Sequence, residues 1–108
     1  MPKLDRDAVY ELTRQIPAGR VTTYGALAAA AGNPGAARGV GMLMHTNPDA
    51  PRTPCHRVVY SDGRLGGYGA KEGTGLKVER LHAEGVEVDG GRVKLFADRF
   101  FADFKRIR

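Results

Sequence analysis

The chain has 108 residues, enough for one domain around one core and too few for a separate substrate domain. With 42% hydrophobic and 27% charged residues and no low-complexity tract, the composition excludes a disordered chain. Seventeen Lys and Arg against twelve Asp and Glu leave a net charge of +5 and a pI near 9.7, which favours polyanionic partners through phosphate contacts and counterion release.

The chain begins with Asp5-Arg6-Asp7 where a signal peptide would carry an apolar core, and no apolar run is long enough to span a bilayer. The expectation is a soluble, cytoplasmic protein with no membrane partner. Asp5 caps a first predicted helix whose Leu4, Ala8, Val9, Leu12 and Ile16 share one face, ending at Pro17-Ala18-Gly19. After an extended Arg20-Val21-Thr22, Thr23 reads as the N-cap of a second helix, Tyr24 to Ala31, closed by Gly32.

Asn33 and Pro34 then read as the N-cap and first residue of a third helix. Two helices across so short a turn make a helix-turn-helix. On the third helix Val40, Leu43 and Met44 face the core. Ala36, Ala37, Arg38, Gly39 and Gly41 form a surface of small residues around one long cation, which suits either tight helix packing or entry into a DNA groove.

The loop from Asn47 to Pro54 carries prolines at 48, 51 and 54 and leads into Cys55 and the apolar Val58-Val59. Asp62-Gly63 marks a turn, and Gly66-Gly67-Tyr68-Gly69 is a stretch where backbone can approach a ligand closely. A fourth helix runs from about Gly75 to Glu84, with Leu76 and Leu81 inward and Gly85 as its stop. Val86–Val88 and Val93–Phe96 flank Asp89-Gly90-Gly91-Arg92, the signal of a small hairpin wing. The phenylalanines of the tail, with Lys105, Arg106 and Arg108, read as an amphipathic helix packed on the core or as a basic DNA-contacting tail. The fold expected is mainly α: a winged helix-turn-helix-like three-helix DNA-binding domain with a small β-hairpin, over residues 1–96, followed by an amphipathic basic tail over 97–108.

One cysteine cannot make an internal disulfide, and His45, His56 and His82 have no metal-ligand spacing, so no metal is expected. Cys55 is either a buried small residue or a reactive thiol. A thiol beside an imidazole holds the parts of an activated nucleophile, although adjacent side chains often diverge, which makes a water bridge from His56 to Cys55 more natural than a direct bond.

Pro54-Cys55-His56-Arg57-Val58-Val59 resembles the active-site motif of the O6-alkylguanine-DNA alkyltransferases, the methylated-DNA–protein-cysteine methyltransferases, and the resemblance extends from the first helix to about Val88. Val21-Thr22-Thr23-Tyr24 is similar to the family's stretch before its helix-turn-helix, and Gly32-Asn33-Pro34 with Ala36-Ala37-Arg38-Gly39-Val40-Gly41 to its recognition helix.

The resemblance implies that Cys55 accepts the alkyl group, His56 is its base through water, Glu84 orients His56, Asn47 fixes the active-site turn and Tyr24 bonds guanine N3. It also implies a pocket in which the carbonyls of Cys55 and Val58 meet the guanine amino group, Met44 and Tyr68 form walls, and the Gly69 amide faces O6. Thr23, Tyr24, Ala36, Ala37, Arg38 and Gly41 would contact DNA, with Arg38 filling the stack as the lesion leaves. The implied partner is double-stranded DNA carrying O6-alkylguanine, bound in its minor groove by a monomer, with no cofactor. The short length and hairpin end also resemble the alkyltransferase-like proteins, which bind the same lesions without repairing them and pass them to nucleotide excision repair. Those proteins replace the nucleophile, whereas this chain has Cys55.

Overall fold

The computed structural model describes residues 4–65 and 73–105. Helix α1 spans Arg6–Thr13, and the Asp5 carboxylate accepts the N–H groups of Asp7 and Ala8 at 3.0 and 3.3 Å, as its capping role requires. The helix stops short of the expected end at Ile16. Pro17 biases the preceding residue away from helical backbone, and Ile16 N–H bonds Thr13 O in a tighter turn while its side chain stays buried.

Strand β1 (Thr22–Thr23) leads directly into helix α2 (Tyr24–Ala30), capped by Thr23 Oγ1 at 3.0 Å from Ala26 N. The end of α2 explains a correction to the sequence reading. Gly32 takes φ +87° and donates to Ala29 O, and Asn33 N–H donates to Ala28 O, the paired bonds of a Schellman closure. Asn33 therefore ends α2 and does not cap the next helix. Pro34 and Gly35 occupy the centre of a turn closed by Ala36 N–H to Asn33 O, and helix α3 (Ala37–His45) begins after Ala36 with no side-chain cap. The pair α2 and α3 is the helix-turn-helix, with Val40 and Met44 buried and Leu43 packed beside them.

A short 3₁₀ turn, Cys55–Arg57, precedes strand β2 (Val58–Val59), which pairs in parallel with β1 in the register Thr22 with Val58 and Thr23 with Val59. Successive strand residues point to opposite faces. Val58 accordingly joins the cluster of Val9, Leu12, Leu27, Val40, Met44 and Cys55, and Val59 the cluster of Val21, Leu65, Leu81, Val86 and Val93. The Cys55 segment is thus held between two cores.

Helix α4 spans Gly73–Ala83 and closes through Gly85 at φ +84°. The hairpin is present but shorter than expected: β3 (Val88–Asp89) and β4 (Arg92–Val93) are joined by Gly90-Gly91, and Phe96 begins helix α5 (Phe96–Arg99). Of the tail, expected as an amphipathic helix on the core or as a basic DNA-contacting segment, the described residues are helical only to Arg99. After four helical residues Phe100 turns extended, Val21 N–H bonds Arg99 O at 2.8 Å, and Phe101 N–H bonds Val21 O at 2.7 Å. The backbone groups of Val21 capture the chain there, and Phe101 and Phe104 pack on the first core edge to face at 5.1 Å. The architecture is mainly α, with a helix-turn-helix and a small hairpin. No helix among the described residues is long and apolar enough to cross a membrane.

Candidate active site

The loop before Cys55 is fixed by side chains. Asn47 Nδ2 donates to Thr53 O at 2.8 Å and Asn47 Oδ1 accepts Asp49 N–H at 3.0 Å, two bonds that tie the loop to one side chain. Sequence reasoning missed the rest of the set. Buried Thr53 donates to Asp49 Oδ2, Arg14 Nε donates to Thr53 Oγ1 at 3.0 Å, and the Arg14 guanidinium lies 3.5 Å from Asp49, so the end of α1 ties down the loop.

Cys55 is 3% exposed and packs in the first core, its N–H bonded to Thr53 O. His56, equally buried, places Nε2 3.0 Å from Glu84 Oε2. A carboxylate only accepts, so Nε2 carries the proton and Nδ1 presents its lone pair. Nδ1 is buried and has no hydrogen-bond partner among the described residues. Burial, joined by the Arg57 and Arg80 charges, pushes the His56 pKa down against the bond and charge of Glu84, which favours the neutral ring.

Glu84 is shared. Arg57 Nε donates to Oε1 at 2.9 Å and Arg57 Nη2 to Oε2 at 2.5 Å, while Arg57 Nη1 holds the Ile16 carbonyl at 2.6 Å. Burial alone would raise the Glu84 pKa, but the bonds from Arg57 and His56 outweigh it and hold the carboxyl below its ordinary value.

Lys77 was not foreseen. It is fully buried on α4, and its Nζ donates to Val58 O and Leu65 O at 2.6 Å each and to the Tyr24 hydroxyl at 3.5 Å. Lys77, Leu81 and Glu84 follow one another at helical spacing on one face, so a lysine in register with inward Leu81 was the available signal. Burial pushes its pKa down to about 8, partly opposed by attraction to Cys55. Tyr24 is raised to about 12 by burial and by Tyr60 and Cys55, so it is a firmly protonated donor. Accepting from Lys77 leaves the Tyr24 O–H free to donate elsewhere.

A cavity of about 660 Å³ opens above Tyr24, between α3 and Tyr60, with Arg38, Gly41, Met42 and His45 along its helical wall. Cys55 does not line it and shares the first core with Tyr24. Met44 and Val58 are buried in that same core, and Val58 O already accepts from Lys77, leaving one lone pair. Tyr68 and Gly69 lie outside the described residues. Of the residues expected at DNA, Thr23 is buried with Oγ1 engaged in the cap, Ala36 and Ala37 open α3, and Arg38 is exposed with no side-chain partner among the described residues. The small residues divide between both readings: a Cβ at Gly39 would come within 3.2 Å of Leu4, whereas Gly41 and Ala37 line the cavity.

A helix-turn-helix whose second helix walls a cavity carrying Arg38, with a buried cysteine and a His56–Glu84 pair in the core nearby, defines the class of a helix-turn-helix DNA-binding domain. Residues 5–86 match the family model of the 6-O-methylguanine DNA methyltransferase DNA-binding domain, and the chain belongs to that family. It is 46% identical over 92 residues to a bifunctional methyltransferase/endonuclease of Picrophilus torridus, covering 85% of this chain and 30% of that protein's length. Among solved structures, S. pombe Atl1 in complex with damaged DNA containing O6-carboxymethylguanine is 35% identical with a TM-score of 0.77, over 89% of this chain and 93% of that one. Mycobacterium tuberculosis OGT in complex with DNA is 38% identical with a TM-score of 0.71, over 78% of this chain and 51% of that one.

Proposed function

We propose that this chain repairs O6-alkylguanine by drawing the nucleotide out of duplex DNA and moving the alkyl group to Cys55 in a single turnover. The observation that carries this reading is the His56–Glu84 pair at 3.0 Å beside Cys55, with Nδ1 as the basic nitrogen. Extrusion costs about a few kcal/mol, less at a damaged pair, and in this reading Arg38, exposed on α3, fills the gap from the minor-groove side.

In the step itself the thiol proton passes to His56 through water, the sulfur–carbon bond forms, and the carbon–O6 bond breaks with its electron pair left on guanine. Tyr24 at N3 and the Gly69 amide at O6 stabilise that charge as it develops. The base takes up a proton as the imidazolium releases one, so the net change is thiol plus alkylguanine to thioether plus guanine. No side chain of the chain hydrolyses a thioether, and each molecule acts once, as a monomer and without a cofactor. The test is conversion of O6-methylguanine to guanine in a duplex, which should stop at one equivalent per protein and be lost in Cys55→Ser.

A second reading is lesion binding without transfer, handing the site to nucleotide excision repair. Coverage of 93% of the Atl1 chain, found with damaged DNA, favours it. Tight, lesion-selective binding by the unaltered protein with Cys55 left unmodified would select this reading over the first.

A further inference from the structure

Among the described residues three large apolar side chains are strongly exposed, Met42 at 63%, Tyr60 at 45% and Leu95 at 68%, and two of them, Met42 and Tyr60, line a cavity that Arg38 also lines. Tyr60 is braced: its ring lies 5.2 Å from that of Tyr24, and the Arg64 guanidinium lies 5.2 Å from its centre. Met42 has no such ring or guanidinium contact among the described residues. It stands one turn beyond Arg38, with His45 following at helical spacing, so finger, thioether and imidazole form one exposed row on α3. No carboxylate lines the cavity, and its described rim carries Arg38 and His45. Such a surface accepts a polyanion that also offers flat apolar faces, which describes a nucleic acid strand.

We infer that Met42 is a second wedge, an apolar side chain that enters the base stack beside the extruded nucleotide and props open the step that Arg38 does not fill. This rests on the proposal that the duplex docks along α3. Four residues of helix rise about 6 Å, within two base steps of the finger. Methionine is among the side chains that proteins insert from the minor groove to unstack and kink a duplex, and its flexible thioether adapts to a stack of any sequence. Gly41, next to Met42, lines the same cavity and adds no side chain there; a Cβ on it would lie 3.9 Å from the Tyr24 ring.

The test uses the full chain carrying Cys55→Ser, so that complexes persist, and duplexes with O6-methylguanine and 2-aminopurine placed at each of the two steps on either side. With Met42 present, one flanking 2-aminopurine should brighten on binding. Met42→Ala should lose that signal and weaken lesion binding about 5- to 20-fold, Met42→Gln should behave like alanine, and Met42→Leu should retain most of both. In the Cys55 protein, reaction with free O6-benzylguanine, which involves no stack, should be equal in all four. Equal flanking signal and affinity in Met42, Ala and Leu forms would overturn the wedge alone. Slowing of the free-base reaction in Met42→Ala would overturn it by placing Met42 in the pocket. Failure of the Met42 protein to select the lesion duplex at all would overturn the docking proposal and the wedge with it.

Discussion

The Nζ of Lys77 lies 2.6 Å from the carbonyl oxygen of Val58, the same oxygen that the family resemblance assigns to the guanine amino group. A buried cation therefore braces the strand that follows the nucleophile and also reaches the Tyr24 hydroxyl.

Because its folded pKa is about 8, Lys77 is deprotonated in the folded chain at pH values where the unfolded chain still holds the proton. The folded state binds fewer protons in this window, so stability gained above the ordinary lysine value is lost as pH falls through about 8. Urea unfolding of the unaltered protein should show stability rising from pH 7.5 to 9.5. Above pH 10 the raised Tyr24 pKa works in the opposite direction. Lys77→Met should abolish the rise and cost about 1–3 kcal/mol at pH 7 through two carbonyls left without a donor. An unchanged pH slope in the variant would show that another group is responsible.

Glu84→Gln keeps an acceptor for His56 but removes the charge that both raises the His56 pKa and pairs with Arg57. Transfer should slow about 10- to 1000-fold at neutral pH. The acid limb of the rate profile should move to lower pH, because a histidine without its carboxylate is harder to protonate. Glu84 itself has a lowered pKa, so its contribution to stability is present above the ordinary glutamate value and lost as pH falls through the folded one. That acid-side slope should flatten in the glutamine form. An acid limb that stays in place would remove Glu84 from the relay.

How much of this was legible in the sequence depended on how local the signal was. The Asp5 and Thr23 caps, the inward Val40 and Met44 and the glycine turn of the hairpin all rest on contacts within a few residues, and they were read correctly. The parallel pairing of Thr22 with Val58 joins two-residue strands far apart in the chain, too short to show a period. Asn33-Pro34 served the end of one helix where the start of the next was expected, since the same residue types suit both. Lys77, Arg14 and Thr53 were not singled out, because an ionisable or hydroxyl side chain of itself gives no sign of burial until its partners are known. The His56–Glu84 contact was legible only through the family motif, the two lying 28 residues apart.

Tyr24→Phe removes the donor that the reading assigns to N3 while keeping the ring stacked against Tyr60. Transfer should fall about 100- to 1000-fold with lesion binding little changed. With the phenol near pKa 12, the unaltered protein should lose no rate from ionisation of Tyr24 between pH 7 and 10. A variant that transfers at the normal rate would show that N3 is served by another group.

Arg38→Ala should weaken extrusion because the exposed guanidinium has no other task among the described contacts. Placing O6-methylguanine opposite a mismatch lowers the cost of flipping and should restore most of the lost rate. If the mismatched lesion were repaired as slowly as the paired one, Arg38 would act in docking and not as the finger.

The most direct test concerns Cys55. After incubation with an excess of duplex containing O6-methylguanine, digestion and mass spectrometry should find the Cys55 peptide heavier by one methyl group in nearly every molecule, with the duplex guanine restored in equal amount. A Cys55 peptide of unchanged mass in a protein that binds the lesion would contradict transfer and leave recognition alone.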